Sequence, residues 1–251
     1  MQQVDIQLIR NATLKISYAG KVILVDPMLG PKHSFMSFVE AGKNLNPTID
    51  LKMSVEEVLD GIDAVLLTHP HMDHFDAEAK ARLPKNLPVY IQPGDLEMLK
   101  NAGFENVNVV ENKSSFEGIS IYRTIGKHAH DEQMAKALGP VSGYVLKAAG
   151  YPSIYIVGDC VWDGDIEEQL NQHKPDIIVI NSGAAVLNGK RILMDAEESI
   201  VLANASGEAK VIATHMEALD HCQLKRSVLE SAAEDAGKVI FIPADGESVR
   251  F

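Results

Sequence analysis

The seven residues Thr-His-Pro-His-Met-Asp-His at 68–74 decide how this sequence is interpreted. They follow the apolar run DAVLL, which is typical of a buried strand. His69 and His71 point the same way from an extended segment because side chains repeat every second residue, and Asp73 and His74 lie one turn further on. Imidazole nitrogen and carboxylate oxygen together suit Zn²⁺, with Mn²⁺ or Fe²⁺ as alternatives. The stretch therefore predicts a metal site directly after a strand.

Other candidate ligands occur later in the chain, each directly after a predicted strand. His128 and His130 follow one such strand. Asp159 follows a second strand, and His215 follows a third. Taken singly, each has a plainer explanation, because a lone histidine is usually structural or solvated and a Gly-Asp pair is usually a turn. Together with the first stretch they complete a ligand set at the ends of strands, where loops carry binding sites.

The order of predicted elements favours sheets covered by helices on their outer faces. Strands come first, and strands alternating with helices follow. Strands are predicted at 4–9, 14–18, 22–25, 63–67, 120–125, 143–147, 153–157, 176–180, 210–213, 238–242 and 248–251, and helices from Ser54 onward, at 93–102, 195–205 and 224–236. The segment 28–50 has no regular pattern but contains several apolar residues. A loop of this length is uncommon unless it is functional, so it is either a lid or a buried plug.

Length and composition favour one domain that spans residues 1–251. Hydrophobic residues make up 46% of the chain and charged residues 23%, which is ordinary for a globular protein. No apolar run approaches the ~20 residues of a membrane span, and the first residues lack the pattern of a signal peptide. Two cysteines, Cys160 and Cys222, are too few for a disulfide framework. We therefore expect a cytoplasmic protein with both thiols reduced.

The net charge of −12 limits the partners that this chain can have. A protein that binds duplex nucleic acid needs excess Lys and Arg to neutralise phosphates, and this chain has the opposite balance. An anionic membrane surface is disfavoured for the same reason. We expect a small-molecule substrate, no duplex nucleic acid and no membrane partner. No sequence pattern decides whether the protein forms a homo-oligomer.

The histidine-rich stretch, the later histidine, the pair Gly158-Asp159 and His215 together resemble the metallo-β-lactamase superfamily in their order and spacing. The resemblance covers most of the chain. The run ILVDP at 23–27 is similar to the branch of ascorbate-6-phosphate lactonase-like metal-dependent hydrolases. The resemblance implies a mixed α/β fold, a four-layer αββα sandwich with the site at one edge.

The resemblance also implies two divalent metal ions, of which zinc is the first expectation and manganese or iron are alternatives. It divides the ligands into a first site of His69, His71 and His128, a second site of Asp73, His74 and His215, and Asp159 as the bridge between them. His130 could take the place of His128, and the family's usual position soon after a strand favours His128.

Three further residues belong near the expected site. Asp26 is a candidate to grip a ligand histidine through its carboxylate, although an Asp-Pro pair can also simply end a strand. His221 follows His215 closely and is a candidate to face the cleft, unless it is a solvated loop histidine. His130 would lie near the substrate if it is not itself a ligand.

The function that the resemblance implies is metal-dependent hydrolysis. The ions would lower the pKa of a bound water to ~7, so that hydroxide can attack a carbonyl or phosphoryl centre. Asp73 or Asp159 would orient this hydroxide and shuttle its proton. Two ions, two carboxylates and one hydroxide leave a formal charge of about +1, which favours a small anionic substrate such as a lactone, ester or phosphodiester. A phosphodiesterase or nuclease on the same site and a mononuclear iron dioxygenase are the alternatives.

Overall fold

Two seven-stranded sheets form the centre of the protein in the computed structural model, which describes residues 2–251. Strands and helices are numbered along the chain. The first sheet contains β1 (Asp5–Arg10), β2 (Thr13–Tyr18), β3 (Lys21–Val25), β4 (Ala64–Leu66), β5 (Val89–Ile91), β6 (Val107–Val109) and β16 (Ser248–Arg250). They are ordered β16-β1-β2-β3-β4-β5-β6 across the sheet.

The second sheet has the order β15-β14-β11-β10-β9-β8-β7. Its strands are β7 (Lys113–Phe116), β8 (Ile119–Gly126), β9 (Val141–Lys147), β10 (Ile154–Ile156), β11 (Ile177–Asn181), β14 (Lys210–Thr214) and β15 (Ile240–Phe241). A separate short hairpin pairs β12 (Val186–Leu187) with β13 (Lys190–Arg191).

Helices cover the outer faces of both sheets. They are α1 (Val55–Leu59), α2 (Ala77–Arg82), α3 (Leu96–Asn101), α5 (Gly164–His173), α6 (Ala196–Ala205) and α7 (Arg226–Asp235). The remaining helix, α4 (Glu132–Leu138), packs instead against a small cluster of loop residues. Helix α1 begins where the sequence predicts, since Ser54 and Glu57 form a reciprocal capping box. No helix within residues 2–251 is long and apolar enough to cross a membrane.

Alternating side chains of each strand build three apolar layers. In β3, Ile23 and Val25 face the other sheet, whereas Leu24 between them faces the helices. In β11, Val179 likewise packs between the sheets and Ile178 packs against α5 to α7. One core therefore lies between the sheets and one lies under each helical layer. The predicted αββα arrangement is confirmed.

The strand directions gather several loops at one edge of the sandwich. Strands β10, β11 and β14 are parallel, and β8 runs in the same direction because β8 and β10 are both antiparallel to β9. The carboxyl ends of these four strands consequently share one edge. Ligands bind outside the carboxyl ends of strands in many α/β proteins, so this edge is where a site is expected.

Candidate metal centre

Seven side chains with metal-binding atoms meet at this edge in two groups. We name the first the histidine group, which consists of His69, His71 and His128. We name the second the carboxylate group, which consists of Asp73, His74, Asp159 and His215. Within each group, one potential ligand atom of every residue lies within 4.8 Å of the others. All seven were candidate ligands from the sequence, and the structure brings them together from the loops after β4, β8, β10 and β14.

The loop after β4 is held as a tight turn that supplies four of these side chains. The backbone N–H groups of His74 and Phe75 both donate to the carbonyl of His71, at 2.9 and 2.8 Å. Phe75 is buried in the core under the first helical layer. Asp76 then caps α2, its carboxylate accepting the N–H of Ala79 at 2.8 Å. The turn is thus fixed by its own backbone hydrogen bonds, by the packing of Phe75 and by the helix that follows.

Two backbone positions at the site have little freedom. Gly158, directly before Asp159, has φ +78°, and a Cβ there would lie 2.9 Å from the carbonyl oxygen of Ser142. Glycine adopts this conformation without steric cost. His215 has φ 64°, which costs of the order of 1–3 kcal/mol for a non-glycine residue and is typical of functional sites. Its N–H donates to the carbonyl of Asn11 at 2.9 Å.

Asp159 lies between the two groups. Its Oδ2 atom faces the Nε2 atoms of four histidines, at 3.1 Å from His74, 3.5 Å from His128, 3.6 Å from His215 and 3.9 Å from His69. Its other oxygen, Oδ1, accepts a hydrogen bond of 2.6 Å from the side-chain amide of Asn181. The carboxylate is therefore anchored on one side and directed at both groups on the other.

Each histidine uses one ring nitrogen for an outer contact. His128 Nδ1 donates to the carbonyl of Ile192 at 3.0 Å, and His71 Nε2 donates to the carbonyl of Leu138 at 2.9 Å. A carbonyl can only accept, so these nitrogens carry the ring protons. The opposite nitrogen of each ring is then the one that can bind a metal ion.

Asp26 organises the remaining histidines of the turn, as the sequence led us to expect. Its Oδ2 atom accepts from His74 Nδ1 at 2.8 Å and from Thr68 Oγ1 at 2.6 Å. Thr68 Oγ1 lies 3.0 Å from His69 Nδ1 and can accept that proton. In the last ring, His215 Nδ1 lies 3.5 Å from the Sγ atom of Cys222. Every ring therefore directs one nitrogen outward and the other to the centre.

The two groups differ in which of their side chains are ionised. Burial, together with the neighbouring His74, lowers the pKa of His69 well below its ordinary value, and burial lowers the pKa of His128. In the carboxylate group burial also penalises charge, but the histidines His74 and His215 outweigh it and hold the pKa of Asp73 and Asp159 well below the ordinary value. His69 and His128 are consequently neutral, whereas the carboxylate group contains two ionised carboxylates.

The carboxylates in turn favour positive charge on their histidines. Burial opposes protonation of His74, yet Asp159, Asp73 and Asp26 outweigh it and raise the pKa of His74 to about 10. Against the same burial penalty, Asp159 raises the pKa of His215 well above its ordinary value. Buried carboxylates that attract protons onto neighbouring rings are suited to bind a cation in place of those protons.

The close approach of ring nitrogens supports the fit of these residues to metal ions. His69 Nε2 lies 2.9 Å from His71 Nδ1, and His74 Nε2 lies 3.2 Å from His215 Nε2. In the first pair, two lone pairs repel each other because the ring protons point outward. In the second pair, the protons that the carboxylates attract onto both rings repel each other. A cation between the two nitrogens removes the repulsion in each case. Three imidazoles in one group and two imidazoles with two carboxylates in the other suit zinc, manganese or iron.

A cavity of about 300 Å³ opens onto the two groups. Besides four residues of the groups, its wall is mainly apolar, and it contains no Lys or Arg within residues 2–251. The wall residues are Phe38, Pro70, His71, Met72, Asp73, His128, Leu138, Asp159, Leu187, Ile192 and His221. Phe38 comes from the segment 28–50, so this part of the segment lies over the site. The start of the segment, around Met28 and Leu29, is instead buried.

His221 and His130 differ in where the structure places them. His221 lines the cavity and is buried, as the sequence suggested. His130 does not line it: its Nε2 atom contacts the carboxylate of Glu198, and half of its side chain is exposed. His128 is therefore the histidine that joins the group, and the role near the substrate that the sequence left open for His130 is not supported.

Several wall residues were not identified from the sequence. Leu138, Leu187 and Ile192 follow no motif, and long-range packing alone brings them to the cavity. Cys222 was recognised only as a thiol, not as a neighbour of His215. One sequence feature pointed to Phe38 as a wall residue: it is an aromatic side chain in a long irregular loop.

A larger groove, of about 680 Å³, lies elsewhere, between the ends of α5 and α6 and the carboxyl-terminal Phe251. Among residues 2–251, no histidine or cysteine lines it, and neither metal-binding group touches it. Its size is therefore no guide to the chemistry of the protein, which is concentrated around the smaller cavity.

Comparisons with known proteins agree with this geometry. The family model described as Beta-lactamase superfamily domain matches residues 21–216. The UPF0173 protein YddR of Bacillus subtilis (strain 168) is 39% identical over 253 residues, which cover 98% of this chain and 100% of that protein. A UPF0173 metal-dependent hydrolase of Xanthobacter autotrophicus (strain ATCC BAA-1158 / Py2) is 25% identical over 232 residues, or 82% of this chain and 89% of that one.

A solved structure is similar over nearly the whole chain. The crystal structure of an isothiocyanate hydrolase from Delia radicum gut bacteria has a TM-score of 0.92 and 37% identity, and the match covers 98% of each chain. The similarity thus extends to the loops that carry the two groups as well as to the sheets.

Proposed function

The chain belongs to the beta-lactamase superfamily domain family, and from this premise we propose that it is a metal-dependent hydrolase with two divalent ions and a small, uncharged substrate. The observation that carries the proposal is the position of Asp159. Its Oδ2 atom lies within 4 Å of ring nitrogens from both groups, at distances from 3.1 to 3.9 Å. One carboxylate so placed is suited to bridge two ions.

The histidine group would hold one ion and Asp73, His74 and His215 the other, with Asp159 shared. Zinc is the first expectation for these donors, and manganese or iron are alternatives. When bound, the two ions would lower the pKa of a water molecule towards ~7 and polarise the substrate. The outer contacts of the histidines keep their ring planes fixed, so that the donor atoms are already in place.

Asp73 and Asp159 are the proposed catalytic carboxylates. Both line the cavity, and their lowered pKa values keep them ionised. An ionised carboxylate only accepts hydrogen bonds. Either residue can therefore accept a hydrogen bond from the attacking water and so orient it. Asn181 holds Oδ1 of Asp159 and leaves Oδ2 facing both groups.

The cavity wall favours an uncharged substrate with an apolar group. The apolar side chains of Phe38, Met72 and Leu138 line it. An anionic group of a substrate would meet no Lys or Arg there within residues 2–251. The formal charge had favoured an anionic substrate, and a lactone or ester remains compatible with the wall. A long phosphodiester or nucleic acid fits it poorly.

Isothiocyanates are the substrate class to test first. They are small and uncharged, with an apolar group attached to an electrophilic carbon, and the similar crystal structure is of an isothiocyanate hydrolase. In the proposed reaction, water adds across the C=N bond of R–N=C=S, so that its oxygen bonds to carbon and one of its protons goes to nitrogen. The proton of the new hydroxyl group then moves to nitrogen as the C–N bond breaks. The products are the amine R–NH₂ and carbonyl sulfide, so that all atoms of water and substrate are accounted for.

The test is a substrate panel with the protein purified without chelator or nickel resin. The panel contains phenethyl isothiocyanate, a γ-lactone, a p-nitrophenyl ester and bis-p-nitrophenyl phosphate. We expect release of phenethylamine that is lost on chelation, restored by adding zinc back, and absent in Asp159→Asn. Turnover that survives both chelation and the substitution would contradict a metal-dependent hydrolase. Hydrolysis of the phosphodiester alone would favour a phosphodiesterase. Oxygen-dependent turnover by a protein that contains one iron per chain would favour a dioxygenase.

A further inference from the structure

His221 is, within residues 2–251, the one polar side chain of the cavity wall that belongs to neither metal-binding group. The residue is only 6% exposed. Within residues 2–251 its Nδ1 atom is enclosed and has no hydrogen-bond partner, and the carboxylate of the preceding Asp220 is 3.9 Å away, beyond hydrogen-bond distance. A molecule in the cavity cannot reach an enclosed atom, so Nε2, the other ring nitrogen, is the one that can meet a ligand, and Nδ1 carries the lone pair of the neutral ring.

The ring of His221 is held in a fixed orientation by the segment over the site. Phe38 packs edge-on against it, with ring centroids 4.8 Å apart. The backbone carbonyl of His221 accepts the N–H of Val186 at 3.0 Å, which ties it to the hairpin of β12 and β13. A polar group fixed in this way needs no rearrangement to meet a ligand.

Contacts of Asp220 attach the same segment to this loop. The side chain of Asn46 donates to the Asp220 carboxylate at 2.9 Å and accepts the Asp220 N–H at 3.0 Å. Ser37 Oγ also donates to that carboxylate. Thr48 adds two bonds of 2.8 Å to the carbonyls of Glu217 and Ala218. These contacts place Phe38 and His221 as one unit above the metal-binding groups.

We infer that His221 is a substrate-binding residue that donates a hydrogen bond to the heteroatom on which negative charge develops during hydrolysis. The inference rests on the proposed function. As water adds to the carbon of N=C=S, the electron pair of one double bond moves onto nitrogen or sulfur. His221 keeps its proton throughout, and both protons that reach nitrogen come from water. A donor fixed next to the developing charge stabilises the transition state more than the ground state.

A purely structural histidine is the plainer explanation, and the wall argues against it. A leucine at this position would pack against Phe38 and leave no buried polar atom unpaired. Leucines already form other parts of the wall, at Leu138 and Leu187. Burial also lowers the pKa of His221, so that the ring is neutral and offers one N–H donor and one lone pair.

The test compares His221→Leu, which removes the donor, with His221→Gln, whose amide N–H can replace it. His173→Leu is the matched control, because His173 lies at the end of α5 and outside the cavity wall. We expect His221→Leu to lower kcat on phenethyl isothiocyanate about 10- to 100-fold with little change in KM. His221→Gln should recover a substantial part of the loss, and His173→Leu should behave as wild type.

Two readouts do not depend on turnover. Metal content by elemental mass spectrometry should be the same in all four proteins. Binding of N-phenethylthiourea, an unreactive analogue with a sulfur acceptor, should be weaker in His221→Leu by calorimetry, by a smaller factor than kcat.

The possible failures are distinguishable. An active wild type with an unchanged His221→Leu would overturn the inference and leave the proposed function standing. A His221→Gln variant as impaired as His221→Leu, or a loss of activity that parallels a loss of metal, would also overturn it, since both indicate a structural role. A wild type that holds metal but hydrolyses nothing in the panel would overturn the proposed function and the inference with it.

Discussion

The histidine group and the carboxylate group occupy the same edge of the sandwich but differ in which of their side chains are ionised. Burial keeps His69 and His128 neutral, so their free nitrogens are ready for an ion. In the carboxylate group, the ionised Asp73 and Asp159 favour protons on the neighbouring His74. One half of the site can therefore accept an ion directly, whereas the other has to exchange protons for it.

The groups also differ in what holds them. His71 and His128 bond to the carbonyls of Leu138 and Ile192, which belong to the cavity wall. His74 bonds instead to the buried carboxylate of Asp26. His71 and His128 are thus tied to the substrate cavity, and His74 is tied to the protein interior.

The largest expected effect comes from removing one histidine from either group. We expect His71→Ala and His215→Ala each to lower kcat/KM by about 10³-fold, because the chemistry needs both ions and one ion supplies several kcal/mol of transition-state stabilisation. Each variant should nevertheless retain one ion, since the other group is intact. Metal analysis and kinetics on the same samples check this. Loss of both ions in either variant would show that the groups are not separate sites.

A smaller effect is expected from the outer contacts of the carboxylate group. Asp26→Asn keeps the size of the side chain but removes the charge that faces His74, and we expect metal affinity to fall about 10- to 100-fold. Cys222→Ser is the matched control, because its sulfur lies 3.5 Å from His215 Nδ1 and the contact is weak. Competition titration with a chelating dye measures both. Equal effects of the two substitutions would contradict the central role of Asp26.

The smallest expected effect is a difference in pH dependence. Because the pKa of His74 is raised to about 10, the ring is protonated at neutral pH without metal, and an ion must displace that proton. Affinity at the carboxylate group should therefore rise by about tenfold per pH unit for each displaced proton, up to about pH 10.

The histidine group should respond differently to the same change. The lowered pKa values of His69 and His128 leave these rings neutral at pH 7 and above, so its affinity should be nearly constant. Zinc titrations at pH 7 and 8, with His215→Ala to isolate this group, measure the contrast. A steep pH dependence of zinc affinity in His215→Ala would contradict the difference in ionisation between the two groups.

The layered fold could be predicted because its central strands have strong patterns. Strands such as β11 are buried on both faces and appear as continuous apolar runs, and four of the candidate ligands lie in one short stretch. Short or polar elements have no such signal. Strand β7, Lys113–Phe116, is half exposed, and α5 buries only Ile166 and Leu170. Neither was predicted.

The site could be predicted only where its residues belong to a motif. His128 and His130 are alike in sequence, and what separates them is a contact between His130 and Glu198, 68 residues away. The apolar wall is likewise assembled from loops distant in the chain. These features follow from tertiary packing, which a local sequence pattern does not contain.

Metal content per chain tests the central claim most directly. Protein purified without chelator or nickel resin is compared with Asp159→Ala by elemental mass spectrometry. The account predicts two zinc or manganese ions per wild-type chain and fewer in the variant, because Asp159 Oδ2 lies between both groups. A wild-type chain that contains no metal and takes up none when zinc, manganese or iron is added would contradict it.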